Sequence, residues 1–382
     1  MSPQGDAKEL DRAPIHGRGA AANPPNRFER IWYERDRDWT DPEDPAPTTQ
    51  FLKDPSRSII AYNESPDVGF DASVNPYRGC EHGCVYCYAR PTHEYLGFSA
   101  GLDFEAKILV KEDAPQLLRR ELSSPNWKPQ VVAVSGVTDP YQPVERRLML
   151  TRRCLEVFRD FRNPVVIITK NHLVTRDADL LAELARDNAS AAFLSVTTLD
   201  GGLSRTMEPR ASQPPRRLAA IEALSRAGVP TGVLVAPVIP GLTDHELPAI
   251  IHASARAGAR FAGYVLLRLP HGVAQLFEQW LTHHAPEKKE KVLRRIREIR
   301  GGRLNDSHFV SRMRGEGVFA EQIAAMFSLA CRKAGIEGKG PALSAGAFRR
   351  PQGTQLSLLN EGFPPLTLTG DLVRAGAGGR PG

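Results

Sequence analysis

Three cysteines, Cys80, Cys84 and Cys87, fall within eight residues of the stretch NPYRGCEHGCVYCYARPTHEYLG, spaced C-x3-C-x2-C. Thiolates this close on one loop can hold a single metal centre, and their number is one short of a closed site. A structural zinc takes four ligands in a tetrahedron, so zinc here needs His82 or His93 as the fourth. A cubane iron–sulfur cluster has four irons, each normally capped by one thiolate. Three cysteines then leave one iron open to a substrate or cofactor, which means chemistry rather than electron storage. Both centres remain open on the residues alone. The cluster is favoured because zinc modules usually bring ligand pairs from two separate turns.

The elements that must position this loop follow a repeating pattern. Short runs rich in Val and Ile are expected as strands near Val74–Tyr77, Val131–Val134, Val165–Thr169, Ala192–Thr198, Thr231–Ala236 and Gly263–Leu269. Their continuous apolar character suits parallel strands buried on both faces. Helical periods lie between them at Ala114–Leu122 (capped by Asp113), Val144–Phe161, Asp177–Asp187, Pro215–Ala227, Asp244–Ala257 and Val273–Thr282. Six β/α units in succession imply a parallel sheet with right-handed crossovers, either an open doubly wound sheet or a partial barrel. Both architectures gather functional groups at the carboxyl ends of the strands. The cysteine loop, the Ser135–Asp139 loop, Lys170, Ser195 and the segment from Pro237 all fall at such ends.

Composition narrows the class. The chain has 382 residues and a formal charge of +6. Residues 285–350 carry 15 Lys/Arg against 7 Asp/Glu, so the basic excess belongs to a C-terminal helical segment. A solvated helix face is the first explanation for it, and attraction of DNA or RNA the second. No secretory leader and no run of 18 apolar residues is present, so a cytoplasmic protein without a membrane span is expected. Five cysteines, three of them clustered, suit a metal site better than a disulfide framework. Four regions are expected: a Pro/Gly-rich extension at 1–56 with contacts through Trp32, Tyr33 and Trp39, the β/α region at 57–284, the basic helical segment at 285–348, and a disordered tail at 349–382.

The cysteine spacing, with Tyr86 just before the last thiol and a six-unit β/α pattern around it, resembles the radical S-adenosylmethionine superfamily. Within it the chain is similar to the spore photoproduct lyase branch, through Thr169-Lys170, Ser195-Val-Thr-Thr198, Glu208-Pro209, Arg217-Leu-Ala-Ala220 and Val235-Ala-Pro237. The resemblance implies a partial (β/α)6 TIM-type barrel and a 4Fe–4S cluster on Cys80, Cys84 and Cys87. It also implies S-adenosylmethionine on the open iron and a one-electron donor of flavodoxin or ferredoxin type. Reductive cleavage then yields a 5′-deoxyadenosyl radical that abstracts hydrogen from a substrate. By the same resemblance Lys170 and Ser195 bind the methionyl part and ribose, and Tyr86, Val238 and Ile239 lie against the adenine. The loop holding Ser135, Thr138 and Asp139 meets the amino group.

One departure matters. The lyase branch uses a hydrogen-donor cysteine some tens of residues past the cluster loop, and no cysteine occurs here between Cys87 and Cys154. The reaction is therefore unassigned, and a nucleic-acid substrate stays open. The competing class is a zinc-stabilised nucleic-acid-binding protein without radical chemistry. Cys154 and Cys331 read as buried small hydrophobes. His82 and His93 read as surface or supporting groups, Arg78 and Arg90 as cations beside the centre. Glu208-Pro-Arg210 reads either as part of the site or as a surface ion pair.

Overall fold

The computed structural model describes residues 13–29, 48–336 and 340–351. Trp32, Tyr33, Trp39 and nearly all of the expected tail lie outside the described residues. The strands in chain order are β1 (Gln50–Lys53), β2 (Ile60–Tyr62), β3 (Ala72–Val74), β4 (Tyr77–Arg78), β5 (Lys107–Val110), β6 (Val132–Val134), β7 (Val165–Thr169), β8 (Ser190–Ser195), β9 (Thr231–Val238) and β10 (Phe261–Leu266). A seven-stranded sheet runs in the order β10-β9-β8-β7-β6-β3-β2. Its six sequential strands β3 and β6 to β10 are parallel, and β2 adds an antiparallel edge. The sheet is not closed, as befits a partial barrel. Val132, Val134, Val165 and Ile167 are fully buried, which explains why these strands read as continuous apolar runs.

The helices are α1 (Leu102–Ala106), α2 (Ala114–Ser123), α3 (Glu145–Leu148), α4 (Leu150–Phe161), α5 (Ala178–Arg186), α6 (Gly201–Met207), α7 (Pro214–Arg226), α8 (Leu247–Arg256), α9 (Gly272–His284), α10 (Pro286–Glu298), α11 (Ser311–Arg314) and α12 (Val318–Ala334). α4, α5, α7 and α8 bury Leu155, Phe158, Leu181, Ile221 and Ile250 in the main core. α10 buries Val292, Leu293 and Ile296, while its many Lys and Arg lie along the outside. α12 covers the β10 side, its Phe327 ring 4.7 Å from that of Tyr264.

Several expectations change. The strand expected at Val74–Tyr77 is two strands in two sheets. Pro76 lacks an N–H and interrupts the ladder, and β4 pairs instead with β5, which also pairs with β1 in a three-stranded sheet. The helix expected over Val144–Phe161 breaks at Met149, which takes φ 51°. The Glu145 carboxylate then accepts the backbone N–H of Thr151 at 3.1 Å and so caps the start of α4. Asp113 precedes α2 without a side-chain capping bond. Of the N-terminal extension, the described residues are ordered: β1 is a strand, and residues within 13–29 bond to the segment after β4.

Candidate active site

The cysteine loop leaves β4 and is held by backbone bonds to two distant elements. The Cys80 N–H donates to the Phe104 carbonyl at 2.9 Å, and the Val85 N–H to the Met207 carbonyl at 3.0 Å. Gly83 takes φ +66°, and a Cβ there would lie 2.7 Å from the Glu105 carboxylate. Glu105 is fully buried and is the anchor of this region. It accepts the N–H groups of Gly19 and Ala20 at 3.0 and 2.8 Å and pairs with the guanidinium of Arg90. Arg90, also fully buried, donates to the carbonyls of Cys84, Ala100 and Gly101 at 3.0, 3.2 and 2.8 Å. Residues 18–20 therefore form a strap across the loop. A Cβ on Gly19 would fall 1.7 Å from the Gly83 carbonyl oxygen, so only glycine permits this approach.

The three thiols sit close enough to feel one another. Burial raises all three above the ordinary thiol value. The charge of Asp139 adds to this at Cys80 and that of Glu208 at Cys84, while Arg90 and Lys170 oppose it at Cys87. A metal centre bound there would offset this by taking the thiolates and releasing their protons. Among the described residues, no three His, Cys, Asp or Glu are placed to hold one metal ion. A cluster differs from a single ion in taking each thiolate on a separate iron. Both histidines weighed as a fourth zinc ligand are buried, and His82 is engaged at both ring nitrogens, whereas the Nδ1 of His93 has no hydrogen-bond partner. His82 places Nδ1 3.4 Å from Asp139 and Nε2 3.1 Å from the Asn171 amide. His93 places Nε2 2.9 Å from the Lys107 carbonyl. The donor set of three thiols on one loop fits a cluster, and neither histidine is grouped with them as a single-ion site among the described residues.

Around the loop, two polar networks converge from the carboxyl ends of the strands. Asp139, after β6, accepts from the Thr169 hydroxyl at 2.6 Å and the Lys170 N–H at 2.8 Å. Burial raises its carboxyl, but His82 and these donors outweigh it and hold Asp139 below the usual carboxylate range. The second network centres on Glu208, which is fully buried. It pairs with Arg217, accepts from Tyr86 and from the Thr197 hydroxyl, and lies 3.4 Å from the Lys170 ammonium. Burial alone pushes Glu208 up, but Arg217 and Lys170 hold it well below its ordinary value. The Lys170 ammonium also donates to the Ala236 carbonyl at 2.9 Å and lies 5.7 Å from the Tyr86 ring centre.

These contacts bring Tyr86, Asp139 and Lys170 together with the cysteines. Ser195 ends β8, buried, with its carbonyl accepting from Arg217 at 3.0 Å. Ile239 shares an apolar cluster with Val85 and Tyr86, whereas Val238 packs in the main core. Ser135 donates to the Thr138 carbonyl at 3.4 Å, and Thr138 to the Tyr77 carbonyl at 3.0 Å, so both side chains bind within their own neighbourhood.

Other expectations are corrected. His82 and His93 are 1% and 0% exposed, which rules out surface positions. Glu208 pairs with Arg217 rather than Arg210, which instead meets Glu81 at 3.1 Å. Arg90 is internal, while Arg78 pairs with Asp54 at 2.7 Å. Cys154 and Cys331 are buried in the main core, as their reading as small hydrophobes anticipated. Glu105 went unread in the sequence, since nothing local marks a carboxylate whose partners lie 15 and 85 or more residues away.

The profile of the Radical SAM superfamily matches residues 74–253. An uncharacterised protein of Mycobacterium tuberculosis (strain ATCC 25618 / H37Rv) is 38% identical over 244 residues, covering 63% of this chain and 71% of that protein. An uncharacterised protein of Methanocaldococcus jannaschii is 28% identical over 219 residues, covering 57% of this chain and 78% of its own. Among solved structures, a spore photoproduct lyase mutant with bound AdoMet and dinucleoside spore photoproduct superposes with a TM-score of 0.53 at 15% identity, covering 77% of this chain and 82% of that one. That likeness is one of fold.

Proposed function

Because the chain belongs to the radical S-adenosylmethionine superfamily, whose enzymes use a 4Fe–4S cluster and S-adenosylmethionine, we propose that Cys80, Cys84 and Cys87 ligate that cluster and that Lys170 binds the methionyl carboxylate. When bound, the two cofactors supply reductive sulfonium cleavage and a 5′-deoxyadenosyl radical that abstracts hydrogen from the substrate. The observation that carries this reading is the reach of Lys170 from the end of β7 to Tyr86 and Glu208, which ties the sheet to the cysteine loop.

The chain's own residues position and shield. Glu208 holds the Lys170 ammonium at 3.4 Å and bonds the Tyr86 hydroxyl, which fixes the ring beside the thiols. Asp139 holds His82 and the Lys170 backbone, with one carboxylate oriented by several donors. Ile239 and Val85 supply an apolar wall for the adenine, Val238 supports the strand end behind it, and Ser195 faces the ribose. Ser135 and Thr138 shape the loop that presents Asp139 to the amino group. Arg90 and Glu105 hold the loop shut on its outer side, which excludes water from the thiolates.

A hydrogen-donor thiol is not supplied by Cys154 or Cys331, since both lie in the main core. The chemistry after hydrogen abstraction is therefore distinct from one that relies on a donor cysteine in this chain. Anaerobic reconstitution tests the reading. The full chain should take up about four irons with visible absorbance, and added S-adenosylmethionine with a reductant should give 5′-deoxyadenosine. Stoichiometric zinc with no iron uptake would sink it.

A further inference from the structure

Two tyrosines flank Cys87, and each carries one cation on its ring. Lys170 lies 5.7 Å from the ring centre of Tyr86, and Arg268 lies 5.2 Å from that of Tyr88. The pairs differ in what neutralises them. Tyr86 is 5% exposed, and Lys170 has the Glu208 carboxylate 3.4 Å away. Tyr88 is 49% exposed, and the half-buried Arg268 makes one hydrogen bond among the described residues, from Nη1 to the Met313 sulfur at 3.7 Å. Its Nε is buried without a partner. The two carboxylates whose charge reaches it are engaged elsewhere. Asp67 pairs with Arg312 and accepts the Val310 N–H at 2.6 Å, and Asp306 accepts the His308 N–H at 2.9 Å and the Ser311 hydroxyl. Burial, and after it the Arg312 charge, push the Arg268 guanidinium down from its ordinary value. Arg268 stands two residues past β10, and the Tyr88 hydroxyl donates to the carbonyl of Gly136, two residues past β6. Tyr88 thus links the carboxyl ends of two strands that three others separate in the sheet, on the face where Asp139 and Lys170 also stand.

We propose that Arg268, held on the Tyr88 ring, binds an oxyanion of the substrate, a phosphate or a carboxylate. This rests on the superfamily reading given above and adds to it the charge of the substrate. A guanidinium taken out of water without acceptors costs free energy that nothing within the fold returns. Its neighbours show the contrast. Arg312 has Asp67, and Arg300 donates to the carbonyls of Leu267 and Ser311 at 2.9 and 2.5 Å. Arg268 has neither kind of acceptor, and an arriving oxyanion supplies it. The planar fork of an arginine suits both phosphate and carboxylate, with two N–H donors side by side. In the reading above the methionyl carboxylate goes to Lys170, which leaves Arg268 for the second molecule that the reaction needs. The half-exposed Tyr88 keeps the pair open to solvent, and its place next to Cys87 sets the substrate's anion beside the cysteine loop.

The test begins with the iron-free full chain, so that anion binding is read apart from the cluster. Inorganic phosphate, followed by broadening of its phosphorus resonance, and acetate, followed by saturation transfer, are titrated at constant ionic strength. The better-bound probe names the oxyanion. Arg268→Gln should weaken it at least about tenfold, the worth of a charge-assisted hydrogen bond. Arg268→Lys, which keeps the charge and guards against a folding defect in the first variant, should weaken it by less. Arg314→Gln should bind as the parent does: Arg314 also lies over a tyrosine, 4.3 Å from the Tyr264 ring centre, but is exposed to water. Equal affinity in Arg268→Gln and the parent, or no binding of either probe to the parent, would overturn the inference. So would equal losses in Arg268→Gln and Arg314→Gln, which would make the effect one of net charge. A second arm places the site. In the reconstituted chain, pulsed electron–nuclear double resonance on the reduced cluster should show coupling to the phosphorus of bound phosphate, or to the carboxyl carbon of isotope-labelled acetate, and Arg268→Gln should lose it. Binding at Arg268 without that coupling would overturn its assignment to the substrate. A parent chain that takes up no iron and makes no 5′-deoxyadenosine would instead overturn the superfamily-level reading, and the substrate assignment with it.

Discussion

Glu208 and Arg217 form an ion pair with both side chains at most 1% exposed, and through Glu208 the pair reaches Tyr86 in the cysteine loop. Removing one partner of such a pair leaves the other charge buried without compensation. Glu208→Gln should destabilise the chain by about 3–5 kcal/mol, read from urea denaturation of the protein without iron. A Glu208→Leu/Arg217→Met double variant should recover much of that loss, since replacing both charges removes the unpaired one.

His93 lies between the rings of Phe98 and Phe104, and burial pushes its imidazole down to about 4 from an ordinary 6.5. The unfolded chain therefore binds a proton at this residue that the folded chain refuses between those two values. Stability should fall as pH drops from about 6.5 to about 4, with a slope of up to about 1.4 kcal/mol per pH unit from this residue. His93→Gln should flatten that part of the profile of denaturation midpoint against pH. An unchanged slope in the variant would assign the acid sensitivity elsewhere.

Gly19 meets Gly83 through backbone, so a clash there has no side chain to move aside. Gly19→Ala should cost about 1–3 kcal/mol and should lower iron uptake on reconstitution, because the strap and the loop must separate. Thermal denaturation and iron analysis read the two effects independently. Gly17→Ala separates clash from backbone strain: Gly17 takes a positive φ, which Gly19 does not, and a Cβ there meets nothing within 4 Å.

Lys170 offers the cation at the end of β7. Lys170→Met should weaken S-adenosylmethionine binding by about 10- to 100-fold, the worth of one charge-assisted hydrogen bond. Iron content should stay near that of the parent. Calorimetric titration of the reconstituted protein measures it, and parent-like affinity would move the methionyl carboxylate to another cation.

Much of the fold was legible because parallel strands buried on both faces leave a plain signature. β7 coincides with the expected Val165–Thr169, and β8, β9 and β10 shift by a few residues at their ends. That the cysteine loop and Lys170 follow strands was legible from the same pattern. What sequence could not show were pairings set by distance in space. Glu208 was singled out but matched to the neighbouring Arg210, since local order favours near partners, whereas α7 brings Arg217 in instead. The break at Met149 was hidden by unbroken helical periodicity across it. The ordering of residues 13–29 was hidden because their partners, reached from the Gly19 and Ala20 amides and the Asn26 and Arg27 side chains, lie more than 60 residues away.

That strap also sets an order of events during biogenesis. Residues 18–20 leave the ribosome before Cys80 is made, yet their amides bind Glu105 and their backbone lies against Gly83 only once the loop has formed. On the proposed ligation, iron delivered before the strap docks would meet a loop still free to move, and iron delivered afterwards a loop held against it. Maturation and folding of this region are thus coupled in time, and reconstitution should run faster from the partly unfolded chain than from the native one.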